Sequence, residues 1–190
     1  MVERLPETVQ APRLTLRRWV ADDALALATA ITENLDHLRP WMPWISAEPQ
    51  SLPNRVALLT QWQQEWERGG DAVFGAFLDD VVVGSTGLHR RRGPDVLEIG
   101  YWIHVDHVRK GYATEISSAL TTAAFTVAGT DRVEIHHDKA NGASGEVPRR
   151  LGFAFAEESP NSVLAPGEIG IDCRWVIERN QWPTKEAQPT

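Results

Sequence analysis

The chain has 190 residues, 42% of them hydrophobic and 24% charged, with 19 basic against 26 acidic side chains and a formal net charge of −7. These values belong to a globular chain of single-domain size, and exclude a disordered composition and the broad basic footprint that nucleic-acid binding requires. A single cysteine, Cys173, excludes an internal disulfide and suits a reducing compartment; neither a secretory leader pattern nor an apolar run of membrane-spanning length is present. The expectation is a cytoplasmic protein without a membrane or nucleic-acid partner, whose acidic balance suits a cationic substrate such as an amine.

In chain order, Leu14 to Arg18 alternates as a first strand, and Asp22 to Thr32 has the spacing of a helix with Asp22 near its cap. Residues 39–53 carry Pro40, Pro43, Pro49 and Pro53, which predicts a loop or a broken helix. A helix over Arg55 to Arg68 stops at Gly69-Gly70; strands Ala72 to Leu78 and Val81 to Leu88 follow, joined at Asp79-Asp80 as a two-residue hairpin. Val96 to Val105 is rich in β-branched and aromatic residues and predicts a central strand. Tyr112, Ile116, Ala119, Leu120, Ala123 and Val127 then recur at helical spacing. The remaining elements are a strand over Arg132 to His136, a short helix near Ser144 to Leu151, a strand over Ala154 to Glu158 and a last strand over Gly170 to Glu178. The whole is one α/β domain over residues 1–179, with a polar tail, 180–190, expected to be loose.

Between the central strand and its helix lies Val108-Arg109-Lys110-Gly111-Tyr112-Ala113-Thr114. The first N–H groups of a helix lack partners, and the macrodipole places roughly half a positive charge at that end. Gly111 lets the backbone approach a ligand, while Arg109 and Lys110 add mobile positive charge. The loop is neither a Walker sequence nor a dinucleotide fingerprint. Val108 to Ala113 resembles the Gln/Arg-x-x-Gly-x-Gly/Ala pyrophosphate loop of the GNAT superfamily of acyl-CoA-dependent N-acyltransferases, with Val108 where that family has Gln or Arg and Arg109 as the substitute contact. Further segments are similar to the RimJ/RimL branch in the same order: Leu14 to Trp19, Arg39-Pro40-Trp41-Met42-Pro43-Trp44, Glu98 to Trp102, and Asn141-Gly142-Ala143-Ser144 with Leu151-Gly152-Phe153.

The resemblance implies a twisted, mostly antiparallel mixed sheet with helices on both faces and two splayed central parallel strands. It implies acetyl-CoA (coenzyme A) as the cofactor, its pantetheine arm bonded to the backbone of Ile103, His104 and Val105, its pyrophosphate on Arg109 to Thr114, and Asn141 as a further contact. An amine acceptor would attack directly in a ternary complex, so a base and an oxyanion or thiolate donor are needed. Glu98, a carboxylate in an apolar strand, is the candidate base; its alternative role is pairing with Arg90, Arg91 or Arg92, and Glu157 and Glu158 stand in reserve. Ser144 is the candidate hydroxyl at the sulfur end and also a candidate helix cap, because Pro148 should fall in the first turn.

Trp41 and Trp44 are expected over the acceptor's entrance, where they could hold a cation or stack on a planar group; packing is the competing role. Trp62 and Trp66, four apart on a helix, suit core or groove packing, and Arg90 to Arg92 suits a solvated turn. His136 and His137 point to opposite faces of a strand, so no metal site is expected. Cys173 lies away from the loop, which disfavours a covalent cysteine route. The acceptor is either a small amine or aminoacyl compound or a protein N-terminus, and the competing class of answer is a non-catalytic acyl-CoA-binding module. A monomer or a homodimer is compatible, the latter through the final strand as an edge.

Overall fold

The computed structural model describes residues 3–183. Its frame is an eight-stranded sheet in the order β1-β2-β3-β4-β5-β6-β8-β7. The strands are β1 (Thr8–Gln10), β2 (Thr15–Arg18), β3 (Ala72–Leu78), β4 (Val81–His89), β5 (Val96–Ile103), β6 (Arg132–Asp138), β7 (Ala154–Pro160) and β8 (Ile171–Glu178). All neighbours are antiparallel except β5 and β6. Asp79, at φ 53°, turns the Asp79-Asp80 hairpin between β3 and β4.

Two helical layers cover the sheet, as the alternation of its side chains requires. On one face α4 (Tyr112–Ala124) seats Ile116, Leu120 and Ala124 against Leu88, Leu97, Ile99, Val133 and Ile135. Beside α4 lies α5 (Gly142–Arg150). On the other face α1 (Ala24–Thr32), the single turn α2 (Leu35–Leu38) and α3 (Leu52–Glu67) bury Leu27, Ile31, Leu38 and Leu59 around Trp19, Phe77 and Trp102. Ser51 caps α3 by accepting the Asn54 N–H, and Pro53 sits in the first turn, where its missing N–H costs nothing.

The parallel pair is what shapes the site. Its register runs Val96↔Arg132, Leu97↔Val133, Glu98↔Glu134 and Ile99↔Ile135, and ends there. Beyond that point β5 stays paired with β4 as far as Ile103↔Gly84, and β6 with β8 as far as Asp138↔Asp172. Each strand thus remains held on its outer side while the two separate from each other. The gap opens toward the N-terminus of α4.

Several boundaries differ from expectation. The central strand ends at Ile103, and Val105–His107 form a 3-10 turn capped by the His104 ring, which accepts the Asp106 N–H. The strand Thr8–Gln10 carries no alternation long enough to announce it. The final strand is not an edge: β8 is paired on both sides, by β6 and β7, so a dimer through strand addition would have to use β7 or β1. Asn180 and Gln181, expected in a loose tail, belong to a 3-10 turn. Trp182 then packs on Phe153 and donates to Thr122 at 3.0 Å, while residues 184–190 lie outside the described part.

Candidate active site

The loop before α4 has the conformation an anion needs. Arg109 and Gly111 both take left-handed backbone angles, φ 60° and 84°, which turn successive N–H groups to one side. The first helical bond of α4 is made by Glu115, whose N–H donates to the Gly111 carbonyl, so the amides of Tyr112, Ala113 and Thr114 precede it and stay available. The Arg109 and Lys110 side chains are exposed at the same point. The loop is anchored by Arg13, which sequence reading passed over. Its Nε donates to Glu115 at 2.8 Å, its Nη2 donates to the Lys110 carbonyl at 3.0 Å, and its guanidinium lies 4.5 Å from the Tyr112 ring centroid. Tyr112 itself is buried in the core, so its backbone alone faces a ligand.

Along the gap, backbone direction decides which groups are free. The His104 N–H donates to Val83 on β4, and the Val105 N–H donates to the Asn34 side chain at 2.6 Å. Because peptide groups alternate along a strand, the N–H and C=O groups of Tyr101 and Ile103 point the other way, into the gap. A ligand carrying amides could pair there as an added strand. Of the segment Ile103 to Val105, the Ile103 backbone therefore faces the gap, the N–H groups of His104 and Val105 are otherwise engaged, and Tyr101 joins the set.

Just past the end of β6 Asn141, not Ser144, caps α5: its Oδ1 accepts the Ser144 N–H at 3.3 Å. Pro148 consequently lies inside the helix rather than in its first turn. A proline at that position has no N–H for the carbonyl four residues back, which is that of Ser144. Tyr101 fills the vacancy, its hydroxyl donating to the Ser144 carbonyl at 2.9 Å and lying 3.1 Å from Ser144 Oγ. Burial pushes the Tyr101 phenol up to about 12, against the weaker opposing effect of its Ser144 contact, so it stays protonated. No tyrosine lies in the Asn141 to Phe153 segment, but the sheet delivers one from β5.

A cavity of about 870 Å³ opens on the α1/α3 face of the same strands. Trp41, Trp44 and Trp62 line it, as do Asn141, Ser144 and Tyr101. Trp66 lies elsewhere, donating to the Leu5 carbonyl at 2.7 Å under the Arg18 guanidinium. Glu98 takes the second of its two roles. It is buried, but Arg92 Nε donates to it at 2.8 Å and Arg91 stands at 3.5 Å. Arg91 and Arg92 stay exposed in their turn, as expected, while also edging the cavity wall, which Glu98 itself does not line. Glu157 and Glu158 pair with Arg174 and Lys139, and neither lines the cavity.

The two histidines of β6 do face opposite ways. His136 Nδ1 and Nε2 donate to Asp172 at 2.8 Å and Glu134 at 2.9 Å. Burial alone would lower its pKa, but those two carboxylates outweigh burial and raise it. His137 accepts from Trp175 Nε1 at 3.0 Å and donates to the Asp138 carbonyl. Among the described residues no group of His, Cys, Asp and Glu side chains could hold a metal ion. Cys173 is buried in β8 away from the cavity lining, and burial raises its thiol pKa.

One further pair stands on the cavity floor. His89 Nδ1 lies 2.7 Å from Asp71 Oδ2, and the Arg90 N–H donates to Asp71 Oδ1 at 2.8 Å. Burial would raise the Asp71 pKa, but these bonds outweigh it and hold the carboxyl below its usual range. An ionised carboxylate only accepts, so the Nδ1 proton points at Asp71, and the approach of Arg91 Nη2 to Nδ1 at 3.1 Å is a contact rather than a hydrogen bond. Sequence reading missed this pair because its members are eighteen positions apart.

A loop whose helix-start amides are free, a gap edged with unpaired backbone groups and a tryptophan-lined cavity that includes the Tyr101–Ser144 hydroxyl pair fit an acyltransferase that takes its acyl group from a phosphorylated, amide-bearing carrier. Residues 13–154 match the acetyltransferase (GNAT) domain model. The chain belongs to the GNAT family, and is an acetyl-CoA-dependent N-acetyltransferase. It is 30% identical over 142 residues to "Putative ribosomal N-acetyltransferase YdaF" of Bacillus subtilis (strain 168), covering 74% of this chain and 77% of that one. Its fold is shared with RimJ of Mycobacterium smegmatis in complex with CoA-disulfide (TM-score 0.82, 20% identity, 96% of this chain and 90% of that one). It is also shared with RimL, a ribosomal L7/L12 alpha-N-protein acetyltransferase in complex with coenzyme A (TM-score 0.81, 19% identity, 93% and 98%). Among the described residues no helix is long and apolar enough to cross a membrane.

Proposed function

We propose that the acceptor is the primary amine of a small molecule or aminoacyl compound, held in the tryptophan-lined cavity. One observation carries this reading. The loop between β7 and β8 bonds to the tryptophan loop, the Gly167 N–H donating to the Pro40 carbonyl at 2.9 Å, so the cavity is bridged rather than left as an open groove. Its volume of about 870 Å³ suits a small ligand. Trp41, Trp44 and Trp62 line it and are the side-chain type that holds a cation, and Glu65, Glu168 and Asp172 on the same lining add negative charge.

The site residues then divide the work. Bound acetyl-CoA supplies an acetyl group activated as a thioester. The amides of residues 112–114, with Arg109, Lys110 and the Gly111 turn, hold its pyrophosphate. The Tyr101 and Ile103 backbone pairs with its amides, and Asn141 fixes the start of α5 so that the Ser144 and Tyr101 hydroxyls face the sulfur end. The Ser144 hydroxyl is the one to donate to the oxygen or sulfur that becomes negative, while the Tyr101 proton stays on the Ser144 carbonyl and holds that residue in place. Glu98 acts by positioning Arg91 and Arg92.

The second reading is a protein N-terminus, favoured by the similarity to a putative ribosomal N-acetyltransferase, YdaF, and to RimL, a ribosomal L7/L12 alpha-N-protein acetyltransferase. A panel containing tyramine, aminoacyl amides and short peptides with free N-termini separates the two, with the gain of an acetyl group read by mass spectrometry. Transfer to the small amines with little to the peptides is the expected result; the reverse pattern overturns the small-acceptor reading.

A further inference from the structure

The reaction needs an uncharged amine, yet Glu98 is tied to two arginines and both nitrogens of His136 are bonded to carboxylates. His89 differs from both. With its Nδ1 proton directed at Asp71, the neutral ring carries its lone pair on Nε2, and Nε2 has no hydrogen-bond partner among the described residues. The ring lines the acceptor cavity.

Its position follows from a pair of glycines. Gly87 on β4 and Gly100 on β5 are register partners, which leaves the sheet bare at that spot. Nε2 lies 2.6 Å from where a Cβ on Gly87 would stand and 3.7 Å from one on Gly100. A side chain on Gly87 would displace the ring. Gly100 immediately follows Ile99, where β5 and β6 part. The nitrogen therefore sits on the acceptor side of the sheet, next to the point where β5 and β6 part, in the cavity that Tyr101 and Ser144 also line.

We propose that His89 Nε2, oriented by Asp71, takes the proton from the acceptor's ammonium group. The freed electron pair forms the C–N bond to the acetyl carbon while the C–S bond breaks. The nitrogen's surplus proton leaves, the thiolate takes up one proton, and the imidazolium releases its own to solvent. Each turnover thus yields the amide, the thiol and one proton. The charged groups facing His89 are Asp71 and the Arg90 to Arg92 turn around its ring, Glu98 opposite it on β5, Glu65 from α3 and the Glu134–His136 pair on β6. Asp71 is the one bonded to the ring proton. Asp71 is thus a positioning residue.

The proposal rests on the small-amine reading for its assay, so the test has an arm that needs no acceptor. Long-range nitrogen-proton NMR of the CoA-saturated protein should show the neutral His89 ring protonated at Nδ1 and bare at Nε2. Asp71→Asn should mix the two tautomers. In steady-state assays with tyramine and glycinamide as probe acceptors, His89→Gln should lower kcat/KM by about 10²- to 10⁴-fold near neutral pH while CoA affinity by calorimetry is unchanged. The deficit should shrink as pH rises and the amine deprotonates by itself. Wild-type turnover of the two probes tests the acceptor reading separately. A ring protonated at Nε2, or His89→Gln that binds CoA normally and keeps wild-type kcat/KM and pH profile, overturns the proposal.

Discussion

Single side chains act here through the group each one satisfies. Tyr101 is bound to Ser144 because Pro148 leaves that carbonyl without its helical donor. Replacing Tyr101 with Phe leaves the carbonyl unpaired, and should cost about 1–3 kcal/mol in urea unfolding, with reduced turnover. The same hydroxyl makes stability depend on pH. Its folded pKa is raised from 10.0 to about 12, so the unfolded chain loses the proton first, and stability present below pH 10 falls as pH climbs toward 12. Tyr101→Phe should lack that fall in an alkaline unfolding series. At the anion loop, Arg109 and Lys110 contribute charge and little packing. Their double alanine variant should weaken CoA binding about 10- to 100-fold by calorimetry with an unchanged melting temperature.

Elements are held in place by polar links between them as much as by the core. Arg13, just before β2, grips both Glu115 of α4 and the Lys110 carbonyl, so the turn between β1 and β2 positions the loop before α4. Arg13→Ala should therefore weaken CoA binding although Arg13 carries no place in the loop's own sequence. On the opposite strands, His136 joins β6 to Asp172 of β8 and to Glu134, which also takes Arg132 and Arg174. Its folded pKa is raised, so its ionic bonds stabilise fully below the ordinary histidine range and are lost as pH rises through the raised value. His136→Gln should be more destabilising near pH 5 than at alkaline pH in thermal unfolding, because the raised pKa places the loss of its ionic bonds on the alkaline side of the ordinary histidine range.

Across the whole molecule, one sheet separates two chambers with different work. In the function proposed above, the gap between β5 and β6 takes the carrier and the cavity on the α1/α3 face takes the acceptor. They meet where Gly100 follows Ile99. The cavity is completed by segments distant in the chain, since the β7–β8 loop closes on Pro40. A Cβ on Gly167 would stand 2.6 Å from the Pro40 carbonyl oxygen, so Gly167→Ala must push the two loops apart. The expected outcome is a higher KM for small acceptors and better use of peptide acceptors, with CoA affinity retained. Equal selectivity in the variant and the wild type would show that the bridge does not select the acceptor.

Much of this organisation was legible in the chain. The Val108 to Thr114 loop, the helical stripe after it and the Asp79-Asp80 hairpin are local patterns, determined by backbone chemistry within a few residues, and with the segments around them they sufficed to point to the family. Strand ends and caps were less so, because Ser144 and Asn141 are both good caps and only the packed helix chose between them. Contacts across the sheet were not legible. The Tyr101 hydroxyl on Ser144, the Asp71–His89 pair, the grip of Arg13 on Glu115 and the arginines around Glu98 join residues that no spacing relates. Register and strand order bring them together, and those are decided when the two helical layers bury the sheet. The sequence by itself determined the loop's local conformation and the class of reaction; the tertiary structure decided which hydroxyl, which imidazole and which carboxylate pair with which partners, since burial and cross-strand pairing act only between elements already packed.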